Sequence, residues 1–345
     1  MTAAAARRAA GFRARRARPA PCRRPLTRWL PAAAALLLAA CGRTPLLPPL
    51  VDGAARIELT AVPFFPQEDY QCGPAALAAV LRHAGVAVAP EQLVGAVYLP
   101  GRKGSLQVEL SAATRRLGLV PYPIAGDLSG LTGALRGGRP VLVLQNLGTR
   151  HWPVWHFAVV IGYDAGRDQL ILRSGTTRRK SIDTRAFLRS WELAGAWGLV
   201  ALPPGELPAP VDAGRYLRAV TDMEGVAPPA ALVAAFAAAV DRWPDDVWAR
   251  VGLGNARYAA GDRAGAEQVF AELRARDPGL VIASNNLAQL LGERGCRRAA
   301  LALLDEALAA EDLAPGDRAR LRATRAELAA RPAAEAVDCA APAQP

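Results

Sequence analysis

The sequence predicts an α+β domain followed by an all-α domain of helical repeats. Proline-rich stretches at residues 45–49 and 203–210 and a Pro/Ala-rich end divide the chain into two folded blocks. The first block combines a helical stretch after Cys72 with short apolar runs that are typical of buried strands. The second block repeats its residue types at a fixed interval, which is typical of stacked helix pairs. The strand-like runs are residues 141–144, 157–162 and 169–172.

The composition is ordinary for a globular protein. The 345 residues are 52% hydrophobic and 21% charged, which is enough material for two domains. The formal net charge is +11, but nine arginines and no acidic residue lie before Cys41, which leaves +2 for the rest. Because the sequence also has no nucleic-acid motif, metal-ligand spacing or phosphate-binding glycine loop, we expect no nucleic acid, no metal and no cofactor.

Residues 1–41 have the pattern of an export signal. Arginines from Arg7 to Arg28 precede an apolar run, residues 29–40, that is too short to span a bilayer comfortably. The run ends in Leu-Ala-Ala-Cys-Gly, which resembles the lipobox of bacterial lipoproteins, where the cysteine is lipidated and becomes the new first residue. The resemblance implies that Cys41 is lipidated and anchors the protein to a membrane. The alternative is an ordinary secretory signal, and both interpretations export the protein.

Export with lipidation implies that the protein lies in the bacterial cell envelope. Gly42 is not the acidic residue that often retains such lipoproteins in the inner membrane, so the resemblance implies the outer membrane, facing the periplasm. Prolines within residues 42–57 predict a tether between the anchor and the first domain. No later segment is apolar enough to span a membrane.

The cysteines that follow the signal are Cys72, Cys296 and Cys339. Disulfides form in oxidising compartments, so Cys296 and Cys339 either pair, which leaves Cys72 free, or remain thiols. The sequence leaves both possibilities open because it does not give the separation of the two residues.

The second block, residues 227–330, repeats its residue types with a single period. The period is about 34 residues, the interval of tetratricopeptide repeats. The same step backwards relates Phe270 to Phe236, so we expect about five helices. Gly261 and Gly295 permit the turns between helices. The alternative is an unrelated Ala-rich helical bundle. The pairs that carry the period are Leu253 and Leu287, Gly254 and Ala288, Gly261 and Gly295, Ala266 and Ala300, and Phe270 and Leu304.

The small residues Gly254, Ala266, Ala288 and Ala300 would let neighbouring helices approach closely. Arrays of this kind bind a peptide or another protein. Residues 204–226 are predicted to be a linker between the two blocks, and residues 331–345 a disordered tail.

Cys72 lies where an extended stretch runs into a helix. The exposed amides and the dipole of a helix N-terminus stabilise a thiolate, which is the form that attacks a carbonyl. Gly73 would allow a substrate to approach closely, and Pro74 suits the first helical turn. A buried structural cysteine is the alternative.

His156 is the candidate partner of Cys72. It begins an apolar run that is predicted to be a buried strand far downstream of the cysteine. A cysteine at a helix start and a histidine on a distant strand are typical of a thiol nucleophile and its general base. His83 falls within the helix after Cys72 and His151 in the loop before the strand, so both are interpreted as bystanders.

The two motifs together resemble the C39 peptidase family, bacteriocin-processing enzymes of papain-like fold. They are Gln-x(4)-Cys-Gly-Pro-Ala-Ala-Leu around Cys72 and His-Phe-x-Val-Val-x-Gly-Tyr-Asp from His156. The resemblance covers residues 58–203 and implies an α+β papain-like cysteine peptidase domain. Together with the lipobox and the repeats, it extends to a group of C39-like lipoproteins of proteobacteria.

The resemblance also implies two further site residues. A glutamine shortly before the cysteine donates to the oxyanion in that family, and Gln67 fits this role better than the adjacent Gln71. An aspartate after the histidine strand orients the imidazole, and here Ser174 stands in its place, with Asp164 and Asp183 as the nearby acids. A neutral serine stabilises an imidazolium less than a carboxylate does.

These residues predict an envelope-anchored cysteine peptidase. Cys72 attacks a peptide carbonyl, Gln67 and the Cys72 amide hold the oxyanion, and His156 protonates the leaving amine. The repeats would recruit a polypeptide substrate or a protein partner. Two alternatives stay open: a catalytically weak or inactive C39-like peptide-binding scaffold, which Ser174 favours, and a transglutaminase-like amide exchange.

Overall fold

An antiparallel sheet organises the first block. The computed structural model describes residues 46–48, 56–66, 71–331 and 339. The strands of the main sheet are β1 (Arg56–Glu58), β4 (Val120–Pro123), β5 (Val141–Asn146), β6 (Trp155–Asp164), β7 (Gln169–Ser174), β8 (Thr177–Asp183) and β9 (Gly198–Leu202). Their order is β4-β9-β5-β6-β7-β8, and β1 pairs with residues 162–164 of β6. A separate two-stranded ribbon consists of β2 (Tyr98–Leu99) and β3 (Gly104–Ser105).

Helices pack on both faces of this sheet, so its central strands are continuous apolar runs rather than alternating ones. Residues 157–163 of β6 are all buried. Phe157 and Val159 lie in the core that includes α1, whereas Ala158 and Val160 lie in the core on the other face. The helices of this block are α1 (Cys72–His83), α2 (Pro90–Val97), α3 (Gln107–Arg116), α4 (Leu128–Arg136) and α5 (Thr184–Glu192).

The predicted repeat period is present in the helix boundaries. Each helix from α8 to α12 begins one full period after the helix two places before it, as α8 does at Val247 and α10 at Val281. Six helices lie within residues 227–330, one more than the five expected. The helices after the sheet are α6 (Ala213–Thr221), α7 (Pro229–Arg242), α8 (Val247–Ala259), α9 (Arg263–Arg276), α10 (Val281–Glu293), α11 (Arg297–Leu308) and α12 (Pro315–Ala330).

Helix α6 lies in the segment that the prolines predicted to be a linker. Helix α6 begins one repeat period before α8, so α6 is the first helix of the array. Tyr216, Ala219 and Val220 recur at the spacing of one helical face and are buried. The Tyr216 hydroxyl donates to the Ala235 carbonyl of α7 at 3.2 Å, and one apolar core runs from the sheet into the repeats. Residues 204–226 therefore join the blocks through packed structure.

Small residues position the helices of the array as the sequence predicts. A Cβ at Gly254 would lie 2.7 Å from the ring of Phe270, so only glycine fits there. Ala266, Ala288 and Ala300 are fully buried. The turn glycines Gly261 and Gly295 have φ of 85° and 90°, in the left-handed region that favours glycine.

Part of the predicted tether packs against the first domain. The backbone amides of Leu46 and Leu47 donate to Asp168 Oδ1 at 3.1 and 3.2 Å, and the Leu47 side chain is buried. An apolar side chain gains by leaving water, which explains why this stretch does not stay free. The signal with Cys41 and most of the tail after Arg331 lie outside the described residues, and within those residues no helix has the length and apolar character to cross a membrane.

The sequence left open whether Cys296 and Cys339 form a disulfide, and the structure shows that they do. Cys296 and Cys339 are bonded, with their Cα atoms 5.6 Å apart. Among the described residues Cys72 is the free cysteine. The bond ties the segment after α12 to the N-terminal end of α11, where Cys296 is the N-cap.

Candidate active site

Cys72 is the first residue of α1. Pro74 lies in the first turn, where its missing N–H costs no helical hydrogen bond. Gly73 has a packing role that the sequence did not suggest, because a Cβ there would overlap the buried Ser105 hydroxyl of β3. Glycine thus lets the ribbon contact the N-terminal end of α1, directly beside Cys72.

The thiol of Cys72 lies against β6. Burial raises the pKa of Cys72 above its ordinary value, and hydrogen bonding to the amides of Phe157, Gly73 and Cys72 itself partly opposes the rise. Phe157 directly follows His156, so these contacts bring the start of α1 to the beginning of the histidine strand.

His156 and Ser174 meet across neighbouring strands. His156 Nε2 lies 2.9 Å from Ser174 Oγ, and Ser174 is buried at the end of β7. An imidazole that accepts a proton at Nδ1 must carry its other proton at Nε2, which would then donate to the hydroxyl. Ser174 therefore bonds to Nε2, which leaves Nδ1 as the nitrogen that can accept a proton from a thiol.

The site favours neutral forms of both groups. Burial lowers the pKa of His156, and the positive charge of Lys180 lowers it further. Burial raises the pKa of Cys72. Near pH 7 these directions favour the Cys72 thiol over its thiolate and the neutral His156 imidazole over the imidazolium.

The first block resembles a known family. Residues 59–198 match the model of the Peptidase_C39 like family. These residues, which include most of the sheet and its flanking helices, are similar to the C39-like peptidase family. The chain is similar to the crystal structure of a protein from Bacillus anthracis described as a C39-like peptidase, at 18% identity and a TM-score of 0.36, covering 43% of this chain and 98% of that one. No curated protein matches the chain.

The acidic residues near the C39-like motifs do not join His156. Asp183 is the N-cap of α5, where its carboxylate accepts from the Ala186 amide at 3.0 Å. Asp164 lies at the other end of β6 and accepts from the Arg167 amide. Ser174 is thus the group beside the imidazole, here at Nε2, where the general triad arrangement has an aspartate that orients the ring.

Of the two candidate oxyanion donors, Gln71 lies within the described residues. Gln71 immediately precedes α1 and is partly buried. Gln67 lies outside the described residues, so its role stays a prediction. The two other histidines lie elsewhere: His83 bonds to the Gly138 carbonyl at 2.9 Å, and His151 is exposed.

Two buried polar residues support the C39-like site and were missed from the sequence. Gln145 pairs with His156 across β5 and β6, and its side chain donates to Ser190 Oγ at 2.8 Å. The Arg173 guanidinium donates to the carbonyls of Val62 at 3.0 Å, Thr60 at 3.3 Å and Arg178 at 2.6 Å. The sequence signal for both residues was a polar side chain near the end of an otherwise apolar strand.

Arg173 fixes the surroundings of Ser174. It is buried, and its hydrogen bonds join residues 60–62, upstream of Cys72, to residue 178 at the start of β8. Within the described residues no cluster of metal-binding side chains is found.

Proposed function

We propose that this protein is a cysteine peptidase in which Cys72 is the nucleophile and His156 the general base. The observation that carries the proposal is the His156–Ser174 hydrogen bond on β6 and β7, next to the amide that contacts the Cys72 thiol. A positioned imidazole and a thiol at a helix start are the two groups that acyl transfer from a peptide requires.

The reaction begins from neutral groups. The Cys72 sulfur attacks the peptide carbonyl carbon while His156 Nδ1 takes the thiol proton, and the carbonyl π electrons move to the oxygen. The Cys72 amide and Gln67 stabilise that oxyanion. Ser174 Oγ accepts from Nε2–H and stabilises the imidazolium. The oxyanion electrons then re-form the carbonyl of a thioester as the C–N bond breaks, and the Nδ1 proton of the imidazolium passes to the leaving amine. Water, deprotonated by His156, releases the acyl group from the thioester and restores the thiol.

The test is a burst assay with an activated amino-acid p-nitrophenyl ester on the full chain. We expect the wild-type protein to release p-nitrophenolate in a burst and to gain the acyl mass on Cys72. Cys72→Ser should abolish the burst, and His156→Ala should slow it by about 100-fold or more, the usual contribution of a general base. His83→Gln is the matched control, because His83 lies at the far end of α1 and bonds to the Gly138 carbonyl, and this variant should match the wild type. Equal bursts from His156→Ala and wild type would refute the base assignment.

The electrostatics favour one second candidate, a catalytically weak C39-like scaffold that binds peptides. A raised Cys72 pKa, a lowered His156 pKa and a neutral partner at Ser174 all reduce the reactivity of the resting thiol. This candidate predicts peptide binding without a burst in the wild-type protein.

Anchoring and recruitment complete the proposal. Lipidation at Cys41 would hold the enzyme at the periplasmic face of the outer membrane, and α6 to α12 would recruit the polypeptide and raise its local concentration. Metabolic labelling with an alkyne fatty acid tests the anchor, because Cys41→Ala should remove the label. Membrane fractionation of the labelled protein then distinguishes the outer from the inner membrane.

A further inference from the structure

An exposed apolar surface adjoins the candidate site. Residues 147–155, which connect β5 to β6 and include the first residue of β6, are named the Trp hairpin here. Its exposed side chains are Leu147 at 49%, Trp152 at 81%, Val154 at 56% and Trp155 at 55%. Among the described residues, four of the eleven exposed large hydrophobic side chains lie in these nine consecutive positions. Contiguous exposed apolar residues mark interaction sites more often than scattered ones do.

The Trp hairpin is held in a single conformation by hydrogen bonds. Asn146, buried at the end of β5, accepts from the amides of Gly148 and Val154 and donates to the Thr149 carbonyl, all at 3.0 to 3.1 Å. The Thr149 amide donates to the Trp152 carbonyl at 3.0 Å. The backbone of the hairpin therefore needs little further ordering when a ligand binds, which favours affinity.

The Trp hairpin leads directly into the strand that carries His156. Trp155 precedes His156 in β6, and the amide of Phe157 contacts the Cys72 thiol. A polypeptide bound across Trp155 would pass within one or two residues of His156.

Positive charge borders the same region. The Trp hairpin contains Arg150 and no carboxylate, and residues 174–182, which follow from Ser174 into β8, contain Arg178, Arg179 and Lys180 and no carboxylate. Arg179 is paired with Glu58 at 2.8 Å, whereas Arg178 and Lys180 lie in the exposed part of β8. Lys180 is close enough for its charge to act on His156. A ligand that complements this border carries negative charge.

We propose that the Trp hairpin and the basic strand β8 together bind the polypeptide substrate through a segment in which apolar side chains alternate with carboxylates. The inference rests on the proposed function, because it takes this polypeptide to be the one that Cys72 cleaves. It names the substrate class that the proposed function leaves open.

A membrane is the less favoured occupant of the Trp hairpin. The amides of Leu46 and Leu47 donate hydrogen bonds to Asp168. Asp168 lies in the turn between β6 and β7, at the end of β6 that is opposite to Trp155. Ten residues of strand separate the two ends by roughly 30 Å. An anchor at the N-terminus would hold the end of the domain that lies away from the tryptophans.

The test measures fluorescence anisotropy of three labelled peptides with the full chain carrying Cys72→Ser, so that binding is separated from cleavage. One peptide alternates Leu or Phe with Glu, the second replaces each Glu by Lys, and the third replaces each Leu or Phe by Ser. The double variant Trp152→Ser with Trp155→Ser removes the aromatic surface. Trp248→Ser is the matched control, because Trp248 is 65% exposed on α8 of the repeats.

We expect the apolar acidic peptide to bind about tenfold more tightly than either other peptide, and the double tryptophan variant to lose about that factor, since exposed aromatic anchors dominate such interfaces. Trp248→Ser should bind like the parent, and circular dichroism should show the double variant folded. Arg178→Ser with Lys180→Ser should remove the preference for Glu over Lys.

Three results would overturn the inference. They are unchanged peptide affinity in the double tryptophan variant, a loss of affinity in Trp248→Ser instead, and binding of phosphatidylglycerol vesicles, but of no peptide, through the tryptophans. The burst assay keeps the two proposals apart: peptide binding without a burst rejects the peptidase, and a burst without peptide binding at the Trp hairpin rejects this surface.

Discussion

Replacing Ser174 by aspartate tests whether the group beside Nε2 controls the ionisation of His156. In the native site Nε2 faces a neutral hydroxyl at 2.9 Å, and burial and Lys180 both lower the pKa of His156. A carboxylate within about 4 to 6 Å of the ring favours the imidazolium by about one to three pKa units. Each unit corresponds to about 1.4 kcal/mol, so Ser174→Asp should reverse the native lowering.

The effect should extend to Cys72. A protonated His156 adds a positive charge next to the thiol and stabilises the thiolate, which lowers the pKa of Cys72. The rate of alkylation by iodoacetamide should therefore rise at a lower pH in Ser174→Asp than in the wild type.

The assay is an NMR titration of the histidine ring protons. The chain has three histidines, so His151→Ala and His83→Gln variants assign the His156 signal. Ser174→Asn is the matched control, because it has the size of aspartate without its charge. Denaturant unfolding of both variants checks that the buried substitution leaves the domain folded.

Two results would refute this reasoning. If Ser174→Asp and Ser174→Asn give the same His156 pKa, the side chain at position 174 does not act on the imidazole. If the His156 pKa rises and the alkylation profile of Cys72 does not move, the ring and the thiol are not coupled.

The remaining predictions concern stability. Phe270→Ala should destabilise the protein by about 3 to 5 kcal/mol in urea unfolding, because the ring fills the space over Gly254, and a much smaller loss would contradict that packing. The lowered pKa of His156 means that the unfolded chain binds this proton more readily, so the free energy of unfolding should fall as the pH drops through the ordinary value of 6.5. His156→Asn should weaken that dependence, and identical pH curves would count against it. Cys339→Ser removes the bond to Cys296, 43 residues away, and should cost up to about 4 kcal/mol by loop entropy, an effect that reducing agent should reproduce in the wild type.

The two-block fold and the elements that hold Cys72 and His156 could be predicted from the sequence because their signals are local. The start of α1 follows from Gly73 and Pro74 after the cysteine, and β6 follows from the apolar run after His156. The repeat period predicted the helix starts, because every repeat meets the same packing constraint.

The linker prediction shows where local signals mislead. Prolines after β9 indicated a break, yet α6 forms there and buries Tyr216 against the neighbouring helix. A proline marks the end of an element, but it carries no information about whether the next element packs on the last. The packing of the two blocks on each other is visible only in the structure, where one apolar core includes residues of both the sheet and the repeats.

The sequence by itself predicted which residues carry the proposed chemistry and which elements hold them. Tertiary structure alone decided the directions of the pKa shifts of Cys72 and His156 and the contact between His156 and Ser174. The pairing of β6 with β7 shifts register between Val160 and Gly162, and Ser174 reaches His156 from the end of β7. The pKa directions of Cys72 and His156 depend on burial by residues distant in the chain. Such contacts have no local pattern, because they arise only when separate strands and helices pack together.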